Sequence, residues 1–482
     1  MQRSTSREQV AGGFLWKFAE RISAQLVSFI VSLVLARLLA PEEFGEISLV
    51  MIFITFANVF VTSGFGNALI QKKDADETDF STVFYTSLGI SIVMYVGLFW
   101  GAPAFASFYR MPRLTAVFRI MGLRLIIAAV NSVQHAYVSK HMLFRRFFWS
   151  TLFGTVLSGV VGILMAHHGC GIWALAAQYM VNTTVDTIVL FVTVKWRPRL
   201  LFSFKRLRGL FSYGWKLLVS ELINTGYMEL RSLIIGRQYS SADLAFYNKG
   251  QSFPKLVVAN INSSLQSVLF PAMASVQDDL EQLKVMTRRA IRINSFVVVP
   301  LIVGLALVAE PFVKVVLTDA WLPCVPYLQI YCVFYSLMPV QAANLQAIKA
   351  VGRSDLYLRL ELIKKILSTV CLLLVMHFGV FAIATTAVAT NCISALMNVI
   401  PNRKLLSYAY KEQVADYFNG IIPTGIMTVA VLLLRLCPIS DLQLLLMQIV
   451  IGALVYVGCS YVLKLDTFMY LLGIVRRMIR KK

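Results

Sequence analysis

The chain alternates between long apolar runs and short polar breaks along nearly its whole length. A helix needs about 20 apolar residues to cross the hydrocarbon core of a bilayer. Fourteen runs close to or above that length are present. They cover residues 14-38, 46-70, 80-108, 115-138, 147-167, 171-194, 210-236, 243-270, 293-309, 322-348, 356-376, 380-400, 416-436 and 442-463. The pattern predicts an all-α polytopic membrane protein with about 14 transmembrane helices.

Composition agrees with a membrane protein and explains the strongly basic charge. Hydrophobic residues make up 58% of the 482 residues and charged residues 14%, with a mean hydropathy of +0.71, whereas soluble domains carry about 25% charged residues. The net charge is +21, but 28 of the 45 Lys and Arg fall in alternate breaks that include both termini, and the other breaks hold six. This asymmetry predicts cytoplasmic termini. The positive charge therefore reflects topology and does not indicate nucleic-acid binding.

An internal repeat divides the predicted helices into two halves. Trp16 and Lys17 lie in the first run, and Trp215 and Lys216 lie 199 residues later, in the seventh. Each half has six runs and returns the chain to the cytoplasm, so the halves are related by a pseudo-two-fold axis along the membrane normal. We therefore expect two six-helix lobes followed by two C-terminal helices. The predicted domains are 1-208, 209-408 and 409-482, the last with a basic cytoplasmic tail.

Polar residues form stripes along several predicted helices. Ionisable groups inside a membrane usually face a cavity or the interior of a helix bundle. The stripes of the first and seventh helices match at the repeat offset, which favours a shared central cavity, although a single stripe also suits contact between helices. The residues predicted to line a cationic, polar substrate cavity are Arg21, Gln25, Arg124, Lys216, Asn224, Arg231, Lys255 and Asn262.

Three acidic residues within the apolar runs are candidates for ion coupling, namely Asp186, Glu221 and Glu229. A carboxylate inside a membrane protein can bind H+ or Na+. The alternative is that each one neutralises a neighbouring Arg or Lys. The chain has no GxxxxGK[ST] phosphate loop, which excludes ATP hydrolysis by that route. The choice between H+, Na+ and no coupling ion stays open.

The charges inside the runs indicate an anionic cargo. The apolar runs contain seven Lys or Arg residues but only four Asp or Glu residues. An Arg guanidinium can bind a phosphate or carboxylate group through two parallel hydrogen bonds. Signs of catalysis or metal binding are lacking. Neither HExxH nor GxSxG occurs, and His167, His168 and Cys170 fall in a short outward turn. We expect a protein without catalytic residues, metal or cofactor.

Three segments at helix ends carry a resemblance to a known family. They are RLLAPEEFG at 37-45, FPAMASVQDDLEQL at 270-283 and QAIKAVGRSD at 346-355. Together with the two lobes, they make the chain resemble the polysaccharide transporters of the multidrug, oligosaccharidyl-lipid and polysaccharide (MOP) exporter superfamily. Within this family, the chain most resembles the Wzx-type members, especially those of the colanic acid exporter type. Such segments identify the fold better than the cargo.

The resemblance implies a flippase of the bacterial cytoplasmic (inner) membrane that works by alternating access. Its implied cargo is an oligosaccharide repeat unit linked through diphosphate to undecaprenyl, used in lipopolysaccharide, capsule or exopolysaccharide assembly. Polymerase and chain-length machinery are the implied protein partners. Two alternatives stay open: a multidrug or cation antiporter of the same superfamily, similar to the MATE transporters, and a membrane enzyme of glycan assembly. The sequence leaves the sugar and the oligomeric state open.

Overall fold

The computed structural model describes residues 7–62 and 64–480, and the Lys17 side chain lies outside this description. The described residues are mostly α-helical and form two compact units, Met1–Ala245 and Phe246–Lys482. The predicted all-α class is thereby confirmed. The predicted lobes follow the sequence repeat, whereas these units follow packing, and the lobe boundaries stay a prediction.

The first unit is built mainly from antiparallel neighbours joined by short connections. Its described helices are α1 (Arg7–Leu38), α2 (Pro41–Thr62), α3 (Phe65–Gln71), α4 (Glu77–Phe108), α5 (Leu114–Lys140), α6 (Phe144–His167), α7 (Ile172–Thr193) and α8 (Phe204–Gln238). The most extensive packing joins α6 to α7, α4 to α5 and α1 to α6. Apolar faces of these helices form the core, as expected for sequence neighbours with short connections.

The second predicted span, 46-70, lies within one apolar stretch, Pro41–Gln71, that contains α2 and α3. Gly214 of α8 approaches Gly64 in this stretch so closely that an added Cβ would lie 2.7 Å from the carbonyl oxygen of Gly64. Glycine at position 214 therefore permits the close backbone approach.

The second unit begins within α9 (Ser241–Ala274). Its further α-helices are α10 (Leu280–Leu307), α11 (Ala309–Val316), α12 (Val325–Ser336), α13 (Met338–Ala350), α14 (Ser354–Val375), α15 (Val380–Leu405), α16 (Tyr410–Tyr417), α17 (Ile421–Leu433), α18 (Asp441–Val462) and α19 (Asp466–Arg480). The main packing pairs are α17 with α18, α14 with α15 and α10 with α12. Pro326 and Pro339 lie in the first turns of α12 and α13, where a missing N–H costs no helical hydrogen bond.

Eleven helical stretches in the described residues are long and apolar enough to cross a membrane. They correspond to eleven of the predicted runs. The other three predicted spans are α8, α9 and α14, with 35, 34 and 22 residues. These helices have sufficient length, but their polar residues lower the hydropathy. The multi-pass architecture is confirmed, and the number 14 stays a prediction.

A network of charges fixes the start of α4 in the first unit. The Asp76 side chain accepts a hydrogen bond from the Asp79 backbone N–H at 3.0 Å, and Asp79 accepts one from the Asp76 N–H at 3.1 Å. Lys72 and Arg206 lie 2.6 and 3.3 Å from the buried Asp79 carboxylate. The hydrogen bond from Arg206 lowers the pKa of Asp76 to about 2. This network ties the segment before α4 to the first turn of α8.

Candidate cargo and ion cavity

A polar cavity of about 420 Å³ lies inside the first unit. Helices α2, α3 and α7 pack against α5 and form its walls with it. The polar lining consists of Asn58, Thr62, Asn67, Arg124, Asn131, Ser132, His135, Ser139, Asn182, Thr183 and Asp186. Polar groups converging from four apolar helices are typical of a binding site rather than of a packed core.

Arg124 is the cation of this cavity. Its Nε donates a hydrogen bond to the Thr183 hydroxyl at 2.7 Å, and its guanidinium carbon lies 5.7 Å from the centre of the Tyr179 ring. A longer contact of 3.6 Å reaches the Met51 sulfur. In the described part of the chain no carboxylate forms an ion pair with Arg124. Its neighbours are neutral, so its positive charge remains available for an anionic ligand.

Asp186 is the acid of the same cavity, and its side chain is 16% exposed. Oδ2 accepts a hydrogen bond from the Asn131 amide at 2.6 Å and lies 3.1 Å from Nε2 of His135. The sequence left open whether this acid neutralises an Arg or Lys. In the structure its ionisable partner is His135, which is charged only when it is protonated. The carboxylate is therefore not held by a permanent cation.

Three buried oxygens of the cavity lining accept no hydrogen bond from the described residues. They are Oδ1 of Asn58, Oδ1 of Asn131 and Oδ1 of Asp186. Buried polar atoms without partners cost free energy, so they are rare and indicate a ligand or a mechanistic role. One carboxylate and two amide oxygens are the type of ligand that a hard cation prefers.

The other predicted site residues do not line this cavity. On α1, Arg21 is exposed and Gln25 is half-buried, and on α8 Lys216, Glu221 and Asn224 are exposed while Glu229 and Arg231 are half-buried. In the second unit Lys255 is exposed, and Asn262 is buried with its amide nitrogen 3.9 Å from the Met338 sulfur. Of the predicted set, Arg124 and Asp186 share the cavity. The roles of the remaining residues stay predictions.

The cavity also contains residues of α2, α3 and α7 that the sequence pattern did not predict. Asn58 and Thr62 are four residues apart on α2, and Asn67 follows on α3. Such i,i+4 spacing of two polar residues in an apolar run is a stripe of the type found on α5. Thr183 carried no comparable signal, because a hydroxyl in an apolar helix usually bonds to its own backbone.

Comparison with known proteins places the chain in a family. A family model described as a polysaccharide biosynthesis protein matches residues 34–326, more than half of the chain. The teichuronic acid biosynthesis protein TuaB of Bacillus subtilis (strain 168) is 24% identical, over 88% of this chain and 87% of TuaB. The lipopolysaccharide biosynthesis protein WzxC of Escherichia coli (strain K12) is also 24% identical, over 75% of this chain and 74% of WzxC.

Solved structures show the same fold. The lipid II flippase MurJ in an inward closed conformation superposes with a TM-score of 0.75 at 13% identity, covering 94% of this chain and 99% of MurJ. An inward-facing MATE multidrug transporter gives a TM-score of 0.63 at 17% identity, covering 81% of this chain and 98% of the transporter. The predicted MOP-type fold is thereby confirmed. The chain belongs to the polysaccharide biosynthesis protein family, and it is a multi-pass membrane protein that shares its fold with these transporters.

Proposed function

We propose that the protein flips polyprenyl-diphosphate-linked oligosaccharide repeat units across the cytoplasmic membrane for lipopolysaccharide, capsule or exopolysaccharide assembly. The carrier we expect is undecaprenyl. Family membership and the names of the relatives support a lipid-linked sugar cargo in general. Transport by alternating access exposes the binding cavity to one side of the membrane at a time. The basic loops support cytoplasmic termini.

The observation that carries this proposal is Arg124 in the polar cavity of the first unit. Its guanidinium meets Thr183 and the Tyr179 ring but no carboxylate among the described residues. A diphosphate or a uronic acid would form a charge-assisted hydrogen bond with it. An isolated charge in an apolar medium costs many kcal/mol. In this proposal Arg124 contributes to replacing the hydration that the anionic head group loses in the membrane.

We also propose that Asp186 binds the coupling cation, H+ or Na+. The unpartnered Oδ1 atoms of Asp186, Asn131 and Asn58 support a Na+ site in the cavity wall. The contact of Asp186 with His135 supports proton binding as the alternative. H+ and Na+ are positively charged, and so is Arg124 in the same cavity. Binding of either ion at Asp186 and release of the cargo from Arg124 can therefore influence each other electrostatically.

The cargo proposal is tested by replacing two arginines of the same helix. Arg119 also lies on α5, but its guanidinium carbon packs 4.4 Å from the centre of the Phe99 ring instead of lining the cavity. We expect Arg124→Ala to lower polymer export about tenfold or more, because a hydrogen bond to a charged group contributes about 1.5–3 kcal/mol. Arg119→Ala serves as the matched control and should leave export near wild type.

The measurement is surface polysaccharide in a strain whose own gene is deleted, with membrane abundance of each variant as the control. Equal export by Arg124→Ala and wild type would overturn the role of Arg124. The MATE-like fold supports an antiporter as the second candidate. Restored growth of an efflux-deficient strain in toxic organic cations, with no effect on polymer export, would favour that candidate over the flippase.

A further inference from the structure

A second cavity in the first unit combines arginines with aromatic rings. It has a volume of about 650 Å³ and lies where α1 and the ends of α6 and α7 meet. Its principal lining residues are Trp16, Phe144, Arg145, Arg146, Trp149 and Phe153. It shares no lining residue with the Arg124–Asp186 cavity. The cargo proposal therefore does not account for it.

The two arginines give this cavity a net positive charge. The Arg145 guanidinium carbon lies 5.6 Å from the centre of the Trp16 ring, and Arg146 donates a hydrogen bond to the Thr193 carbonyl at the end of α7. The described part of the lining contains no acidic residue, and neither arginine forms an ion pair with an acid among the described residues. Both arginines belong to the basic loop 139–146, on the predicted cytoplasmic side.

The cavity continues into an apolar track along α6. The Trp149 and Phe153 rings stack with centroids 5.6 Å apart, and their side chains are 39% and 47% exposed. Val156, Val160 and Leu164 extend the exposed face at helical spacing. An aliphatic chain that follows this face would cover apolar surface in the direction of the membrane interior. The cavity thus has a cationic end and an apolar end.

We propose that this cavity binds an anionic glycerophospholipid of the cytoplasmic leaflet, with the phosphate at Arg145 and Arg146 and an acyl chain on Trp149 and Phe153. Basic pockets between transmembrane helices on the cytoplasmic side suit such head groups. A sugar head group fits less well, because sugars need several hydroxyl or amide partners. Among the lining residues that the structure describes, Thr193 is the one with a hydroxyl, and none has a side-chain amide.

The first test is native mass spectrometry of the detergent-purified protein with phosphatidylglycerol or phosphatidylcholine. Wild type should retain phosphatidylglycerol in preference to phosphatidylcholine. Arg145→Gln with Arg146→Gln should weaken that retention about fivefold for each arginine removed. The control is Lys205→Gln with Arg208→Gln, which removes two exposed cations of the α8 start and should match wild type.

Since Arg146 also caps α7, Arg145→Gln alone carries the test if the double variant is not folded. A second measurement is quenching of tryptophan fluorescence by phosphatidylglycerol brominated in its acyl chains, which Trp149→Phe should reduce. Equal retention by the arginine variants and wild type would overturn the proposal. So would equal retention of the two lipids. Displacement of phosphatidylglycerol by equimolar polyprenyl phosphate would assign the cavity to the lipid carrier instead.

Discussion

Asp186 in the first unit and Asp416 in the second are both carboxylates within membrane-spanning helices, but their surroundings differ. Asp416 is fully buried on α16, and Arg292 and Arg288 approach its oxygens at 2.5 and 2.8 Å. The Tyr408 hydroxyl adds a hydrogen bond of 2.7 Å. Both oxygens of Asp416 are thus held by permanent donors. Among the described residues, the partners of the Asp186 carboxylate are Asn131, His135 and the Ser150 hydroxyl, and none of them is an Arg or Lys.

These different surroundings indicate that Asp416 is a structural acid, whereas Asp186 can bind a cation. A buried carboxylate with two arginines is neutralised whatever the ligand state, and breaking the pair leaves uncompensated charge. A carboxylate with an amide and an imidazole keeps free acceptor capacity and can gain or lose a cation. We therefore expect substitutions at Asp416 to affect folding and substitutions at Asp186 to affect transport.

The largest effect on stability is expected for Asp416→Asn. Removing this charge leaves Arg292 without its carboxylate and Arg288 with Glu412 alone, and a lost hydrogen bond to a charged group costs about 1.5–3 kcal/mol. The measurement is the thermal unfolding midpoint of the protein in detergent, together with its abundance in the membrane. Asp355→Asn is the control, because Asp355 and its partner Arg353 are about half exposed and such pairs contribute about 0–1 kcal/mol. An unchanged unfolding midpoint for Asp416→Asn would contradict the structural role of Asp416.

Asp186→Asn should change function while leaving stability nearly intact. The amide can still accept a hydrogen bond from Asn131, but it offers a bound cation no charge. We expect polymer export to fall about tenfold or more, as for other charged hydrogen bonds of about 1.5–3 kcal/mol. Export and the unfolding midpoint are measured in parallel. Normal export, or a loss of stability like that of Asp416→Asn, would contradict the assignment of Asp186 to ion coupling.

Smaller effects are expected from the two amides of the cavity. Asn131→Ala removes both a donor to Asp186 and an unpartnered oxygen, whereas Asn58→Ala removes an amide whose oxygen is unpartnered and leaves the Asn131–Asp186 hydrogen bond in place. Asn131→Ala should therefore raise the Na+ concentration for half-maximal transport more than Asn58→Ala does. Each lost neutral ligand contributes about 0.5–1.5 kcal/mol, or roughly a two- to tenfold shift. Transport that depends on pH but not on Na+ in wild type would assign the coupling to the Asp186–His135 pair instead.

The smallest effect is expected for Arg206→Gln at the exposed Asp76. The pKa of Asp76 is lowered from 3.8 to about 2 in the folded protein, so its stabilisation is present above pH 3.8 and is lost as the pH falls through about 2. Arg206→Gln should lower the unfolding midpoint slightly at pH 6, and the difference from wild type should shrink toward pH 2. Midpoints measured along this pH series check the sign. A difference that grows on acidification would contradict it.

Many of the polar residues that line the cavity could be predicted from the sequence of each helix taken separately. Arg124, Asn131 and His135 share one face of α5 by spacing alone, and Asp186 was a candidate from its position in an apolar run. The spacing did not show that Asn131 and Asp186, 55 residues apart, would meet at 2.6 Å. Helical periodicity defines the polar face of each helix, but packing decides which faces converge.

The Asp416 cluster illustrates the same limit in the second unit. Arg288 and Asp416 are separated by 128 residues, and Asp416 stands near the start of an apolar run where nothing distinguishes it from a solvated helix end. The close approach of Gly214 to Gly64 is likewise a property of the packed unit, which the sequence does not show.

The sequence alone was sufficient for the helical membrane class, the polysaccharide biosynthesis protein family and the basic side of the loops. These properties depend on local hydropathy, charge and motif, which each segment carries without its neighbours. Tertiary structure alone decided that Arg124 and Asp186 share one cavity, that Asp186 meets a histidine, and that Asp416 is held by two arginines. Those features are contacts between distant segments, and they form only when the helices pack.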